Sequence, residues 1–154
     1  MVQQIIGGVL YYVRELDLTV LPALIYISIE QASATENTEK KCTQLLDYLA
    51  THDNARICYH ASDMVLNIHS DASYFSETRA RSRVAGQLFP DRNSHPTNPI
   101  ALNGALYIMC GILKFVVASA EEAELGALFL NRKEGRIMRL TLQEMGYPQF
   151  QLRT

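Results

Sequence analysis

The chain is expected to fold as α/β, with an N-terminal helical hairpin followed by antiparallel strands packed by a helix. Three observations predict this. Residues 1–52 place apolar side chains at helical spacing between capping residues. Residues 64–71 then change to alternation, with Met64, Leu66 and Ile68 on one side and Val65, Asn67, His69 and Asp71 on the other. From Ser119 the spacing is helical again, and Ser119 with Glu122 has the Ser-x-x-Glu form of a capping box.

Taken in order, residues 6–14 are apolar and tyrosine-rich and are expected to be helical despite Gly7 and Gly8, with Tyr11 and Tyr12 in the core. Asp17 can cap the next helix, and Pro22 is tolerated in its first turn. Leu21, Leu24, Ile25 and Ile29 mark its apolar face. Thr35 or Ser33 caps a further helix reaching about Thr51, with Leu45, Leu46, Tyr48 and Leu49 as its buried stripe. The period then changes, so domains are expected at 1–52 and 53–154. Residues 56–61 suit a short strand, 64–71 and 82–89 an antiparallel pair, 90–99 a turn-rich loop and 105–117 one or two further strands. The last helix runs toward Met145 with a break near Gly135, and Gly146 supplies its stop.

The 154 residues are 48% hydrophobic and 19% charged, which suits a packed core and excludes a disordered chain. Net charge is −2, so any basic surface must be local. Residues 1–52 hold three Lys/Arg against six acids, and the remainder holds eleven against ten. Cys42, Cys58 and Cys110 are widely spaced without a CxxC pair, as for reduced, buried thiols in a reducing compartment. The N-terminus lacks the basic start and cleavage site of a signal peptide. The most apolar stretch, 105–120, contains Lys114 and is shorter than the about 20 residues of a membrane span. An intracellular chain, cytoplasmic or nuclear, is expected.

The chemistry that can be read from residue types is metal-dependent phosphodiester hydrolysis. Two divalent ions about 3.5–4 Å apart need converging carboxylates on rigid elements. Asp71 at a strand end and Glu124 early in a helix are the candidate catalytic and metal-binding pair, and their hard oxygens suit magnesium or manganese. Against this, an aspartate at a strand end is commonly a turn residue, and acids at a helix start commonly complement the dipole. Arg79, Arg81 and Arg83 would share one strand face, and Arg81 and Arg83 are the candidate phosphate contacts. The same residues also suit a solvated strand face. Arg132, Lys133, Arg136 and Arg139 lie late in the last helix, where positive charge is favourable without a ligand. His52, His60, His69 and His95 are solitary, and a structural role is expected for His69. No serine sits in a nucleophile elbow.

The segment 122–146, EAELGALFLNRKEGRIMRLTLQEMG, resembles the ribonuclease H portion of copia-type retrotransposon polyproteins, whose pattern there is close to EAEY-x-AL-x(4)-KE-x(3)-LR-x-LLEELG. Upstream, Ser70-Asp71-Ala72 is similar to that family's SDAD motif, and Arg81-Ser82-Arg83 with Gly86 to its R-x-S-x-SG segment. Ile6-Gly7-Gly8-Val9-Leu10-Tyr11-Tyr12 resembles the IG-x-LLYL motif closing the reverse transcriptase. Thr35-Glu36 with Leu45-Leu46-Asp47-Tyr48-Leu49 resembles its PTE-x(8)-ILRYLKGT segment. The similarity is collinear over nearly the whole chain. The family's TRPD is Arg14-Glu15-Leu16-Asp17 here, and residues 107–117 replace its tryptophan and SKKQ segment.

The resemblance implies an incomplete ribonuclease-H-like unit after the end of a reverse transcriptase. In it Asp71 and Glu124 would be the first two metal-binding carboxylates, the partner an RNA–DNA hybrid, and no small-molecule cofactor would be used. The third carboxylate belongs to an Asp-Asn motif after a strand due to start near Phe150. This chain is therefore expected to be inactive, or to be a non-enzymatic decayed or co-opted protein whose open sheet edge invites a partner strand.

Overall fold

The computed structural model describes residues 1–77, 79–91 and 101–149. It divides into two compact units, Met1–Ile57 and Cys58–Thr154.

The first unit holds three helices, α1 (Val2–Glu15), α2 (Leu21–Ile29) and α3 (Glu36–Thr51), and each packs against the other two. It is thus a three-helix unit and not a hairpin, because α1 contributes its own buried face through Val2, Ile6 and Val13. Tyr11 is exposed. Asp17 accepts from the Thr19 N–H at 3.2 Å and caps a short 3-10 turn that leads into α2, with Pro22 in its first turn. Thr35 and Thr38 form a reciprocal capping box at α3. The buried stripe of α3 is Thr38, Cys42 and Leu45. Leu46 and Tyr48 are exposed, because the stripe follows i, i+4, i+7 from Thr38 and not the densest run of apolar letters.

Glu30 ties α2 to α3. Its Oε1 accepts from Lys41 Nζ at 2.6 Å and its Oε2 from Thr38 Oγ1 at 2.9 Å. Lys41 also lies 4.6 Å from the centre of the Tyr26 ring. The Lys41 ammonium, helped by the Thr38 hydroxyl, holds the Glu30 carboxyl below its ordinary value of 4.5. A carboxyl depressed in the folded state stabilises above its unfolded value and loses that contribution as pH falls through the folded one. Amide protection factors in α1–α3, corrected for the intrinsic exchange rate, are therefore expected to fall on acidification below about 4.5, and Glu30→Gln to remove that dependence.

The second unit is a three-stranded antiparallel sheet in the order β1 (Leu66–Glu77), β2 (Arg81–Pro90), β3 (Tyr107–Ile112), covered on one face by α4 (Ala120–Glu144). The expected antiparallel pairing is present, with Leu66 opposite Pro90, Asp71 opposite Ala85 and Ser73 opposite Arg83. The ladder shifts between Ser73 and Glu77, where Phe75 has φ +49° and its N–H donates to Ser82 Oγ. Residues 56–61 form no strand, contrary to expectation. His60 N–H and O are instead taken by the Asn103 side chain, a clamp that gives this stretch non-sheet partners. Arg79 lies in the turn after β1 with φ +63°, so it does not share a strand face with Arg81 and Arg83. Of the expected 90–99 loop, residues 92–99 lie outside the described residues, as does the strand expected from Phe150.

The core between sheet and helix has two parts. Val84, Leu113, Val117, Ala123 and Ala127 form one, and Leu66, Ile68, Leu88 and Leu142 the other. Helix α4 is unbroken at Gly135, which lies where a Cβ would meet Ile68 Cδ1 at 2.3 Å. The glycine permits close helix–sheet approach, and no break is needed. Ser119 accepts from the Glu122 N–H at 3.2 Å, while Glu122 reaches past Ser119 to accept from Ala118 N–H at 2.6 Å. At the other end Gly146 has φ +92°. Its N–H reaches Gln143 O and that of Tyr147 reaches Leu142 O, the Schellman pairing. Cys42 is buried, Cys110 half-buried and Cys58 exposed, and all three are free. Cys58 departs from the expected burial because it lies in a stretch outside the helices and the sheet. No helix among the described residues is long and apolar enough to cross a membrane.

Candidate metal site at the edge of the sheet

The parity of β1 decides where Asp71 points. Ser70 Oγ meets Asn131 of α4, Ile68 meets Gly135, and Ala72 and Tyr74 pack with Ala123 and Ala127. Even-numbered residues therefore face α4. Asp71, paired with Ala85 in the regular part of the ladder, projects from the opposite face and is exposed.

Glu124 stands on the flank of α4 that overhangs β1. Asn131 and Gly135 follow it at i+7 and i+11 on one helical stripe, and both contact β1. On the other flank, Gly126 faces Phe115 and Leu113, toward β3. Ala123 and Ala127 bracket Glu124 and share a cluster with Ala72 and Tyr74, so Glu124 is level with that stretch of β1. It is exposed.

Strand β1 lies at one edge of the described sheet. Contrary to the expectation of a converging pair, the two carboxylates are thus not on one sheet face: Asp71 projects from the face away from α4, and Glu124 belongs to the helix over the other. Among the described residues no group of three or more His, Cys, Asp or Glu is placed to hold a metal ion.

The edge is closed at its start by Gln149. Its Oε1 accepts from Leu66 N–H at 3.0 Å and its Nε2 donates to Met64 O at 2.7 Å, so one side-chain amide imitates one rung of a strand ladder. Nothing in the local sequence pattern marks Gln149 for this. Asn131 was equally hidden. It is fully buried, and its Nδ2 lies within hydrogen-bond reach of Ser70 Oγ, Ala85 O and Ala127 O at 3.0, 2.9 and 3.0 Å. An amide at i+4 from Ala127 on an otherwise apolar stripe is the signal that could have found it.

Arg81 and Arg83 lie on β2, with Arg83 on the face away from α4, beside Cys110. Arg83 Nε donates to Glu77 Oε1 at 2.9 Å and its Nη2 donates to the same oxygen. The pair is largely enclosed, with side chains 18% and 8% exposed. Desolvation opposes the guanidinium charge, but the Glu77 carboxylate outweighs it and holds Arg83 above its ordinary value. Burial pushes the Cys110 thiol up, against the opposing pull of Arg83. Arg83 is accordingly committed to Glu77. His69 packs edge-on against Phe89 with centroids 4.9 Å apart, the structural role expected of it. No protein-family model, curated protein or solved structure matches the chain.

Proposed function

We propose that the second unit derives from the ribonuclease H of a copia-type retrotransposon polyprotein, with the helical unit the end of its reverse transcriptase. The ancestral reaction is metal-dependent cleavage of RNA in an RNA–DNA hybrid. The observation that carries this reading is the collinear match of the motifs at 6–12, 70–72 and 122–146, with Asp71 on a strand and Glu124 on the helix packed against it. Sharing one hard cation would require the two side chains to reach round the β1 edge to a common point.

The fit to magnesium or manganese is partial. Two exposed carboxylates give one cation a foothold, but a two-metal cage needs more converging acids than the described residues bring together. No hydrolytic step is derived for the 154-residue polypeptide, and negligible cleavage of a labelled hybrid is expected with either metal. Cleavage that disappears in Asp71→Asn would overturn that expectation. The site is tested separately by paramagnetic broadening. Manganese should broaden the Asp71 and Glu124 side-chain signals together, and Glu124→Gln should weaken the effect at Asp71. Broadening of one without the other sinks the shared site.

A non-enzymatic reading is favoured by the open edge itself. Beyond the Gln149 rung, no described strand covers β1 on that side, which leaves it able to accept a partner strand.

A further inference from the structure

We propose that the outer face of α4 is a binding surface for single-stranded nucleic acid, separate from the Asp71–Glu124 edge. Arg132 and Arg136 are exposed at i and i+4 of α4, with Lys133 beside them, Phe129 one turn earlier, and the half-buried Arg139 at i+7 on the flank toward Gln149. A surface groove of about 450 Å³ has these five residues in its lining. The helix dipole does not account for the charges. It acts within the last turn, and α4 has no basic residue there.

Nor does local pairing account for them. Arg132, Lys133 and Arg136 are exposed and have no acidic partner among the described residues. Like charges at i, i+4 destabilise a helix, so the arrangement is unfavourable until an anion arrives. Only Arg139 is anchored, through Nη2 to Gln149 O at 3.1 Å.

The occupant follows from the chemistry of the face. Guanidinium forks match phosphate oxygens, and Arg132 and Arg136 are about 6 Å apart along the axis, the scale on which phosphates of an extended strand repeat. Phe129 is 67% exposed in line with them, offering a ring on which an unpaired base can stack. A duplex keeps its bases from such a ring. Leu125, Ile137 and Leu140 of α4 are also exposed, so an anionic membrane is the competing occupant, which preference for phosphatidylserine vesicles would reveal.

The test is fluorescence anisotropy of the full chain with labelled oligothymidine of roughly 20 nucleotides in EDTA. Binding is expected to fall with salt at a log–log slope near −2 to −3, as for about four neutralised single-strand phosphates. Arg132→Gln, Lys133→Gln and Arg136→Gln combined should weaken binding at low salt about tenfold or more and flatten the slope toward about −0.7. Phe129→Ala should cost about fivefold or more for the single strand and little for a duplex. Losing the same charge elsewhere, through Arg14→Gln, Lys40→Gln and Arg56→Gln, should leave binding unchanged. Circular dichroism confirms that each variant folds. Salt-independent binding, binding unaffected by the α4 substitutions, a duplex bound as tightly with no effect of Phe129→Ala, or preference for phosphatidylserine vesicles would each overturn the proposal. Because the assay contains no divalent metal, failure of the nuclease reading leaves its outcome unaffected.

Discussion

Gly86→Ala is expected to destabilise the sheet–helix unit by about 3 kcal/mol, through overpacking and the loss of buried hydrogen bonds. A Cβ there would lie 1.7 Å from Asn131 Oδ1 and 2.3 Å from its Cγ. The amide cannot step aside cheaply. It is fully buried, and its Nδ2 holds Ser70 on β1, Ala85 on β2 and Ala127 on its own helix. Displacing it would strip partners from groups that water cannot reach, and would push α4 off the sheet at the middle of their contact. Urea dependence of amide exchange in β1 and β2 isolates this unit from the helical one. A double-mutant cycle then identifies the cause. Asn131→Ala alone also destabilises, but Gly86→Ala on that background should cost little, because the methyl fills vacated space. Additive losses would show that the collision is not what makes Gly86 necessary.

Gly86 and Asn131 also mark where reading the sequence stops. The strand parity of 64–71, the Ser119 cap and the Gly146 stop were legible because each is local. Side-chain alternation, a hydroxyl three residues before an N–H, and a positive φ are set by neighbours in the chain. Gly135 was misread because a glycine within a helical pattern weakens the local propensity, while its use is to admit Ile68 from another element. Leu46 and Tyr48 were assigned to the core by composition, but the buried stripe of α3 is chosen by the polar Thr38, whose hydroxyl is required at Thr35 and Glu30. Residues 56–61 have strand-like letters yet are bound by the side chain of Asn103, far away in sequence.

The candidate site divides in the same way. That Asp71 belongs to a strand and Glu124 to a helix was legible. That they approach a sheet edge from its two sides was not, because it depends on which face of β1 the helix covers. Arg83 is the sharpest case. Its spacing from Arg81 suggested a phosphate contact, but the shift in the β1 ladder after Ser73 brings Glu77 within reach of its guanidinium.

Arg83→Met should accordingly behave as the breaking of an enclosed ion pair. The Glu77 side chain is 8% exposed, so removing its cation leaves a carboxylate that water reaches poorly. A loss of about 3 kcal/mol is expected, the range for removing one partner of a buried pair. The loss measures the stranded charge more than the worth of the bridge, and this can be checked directly. Glu77→Gln combined with Arg83→Met should recover much of the stability, because no uncompensated charge remains. Because the pair is enclosed, added salt should change the loss little. The raised Arg83 value contributes stability that is present below the unfolded value and lost only as pH rises through the folded one. With an arginine that window lies beyond the neutral range, so the wild-type pair should show no pH dependence of its arginine across it. A phosphate contact would give the opposite pattern: near-normal stability in Arg83→Met, weaker oligonucleotide binding, and no rescue by Glu77→Gln. The enclosed geometry, with two guanidinium nitrogens on one Glu77 oxygen, favours the first outcome.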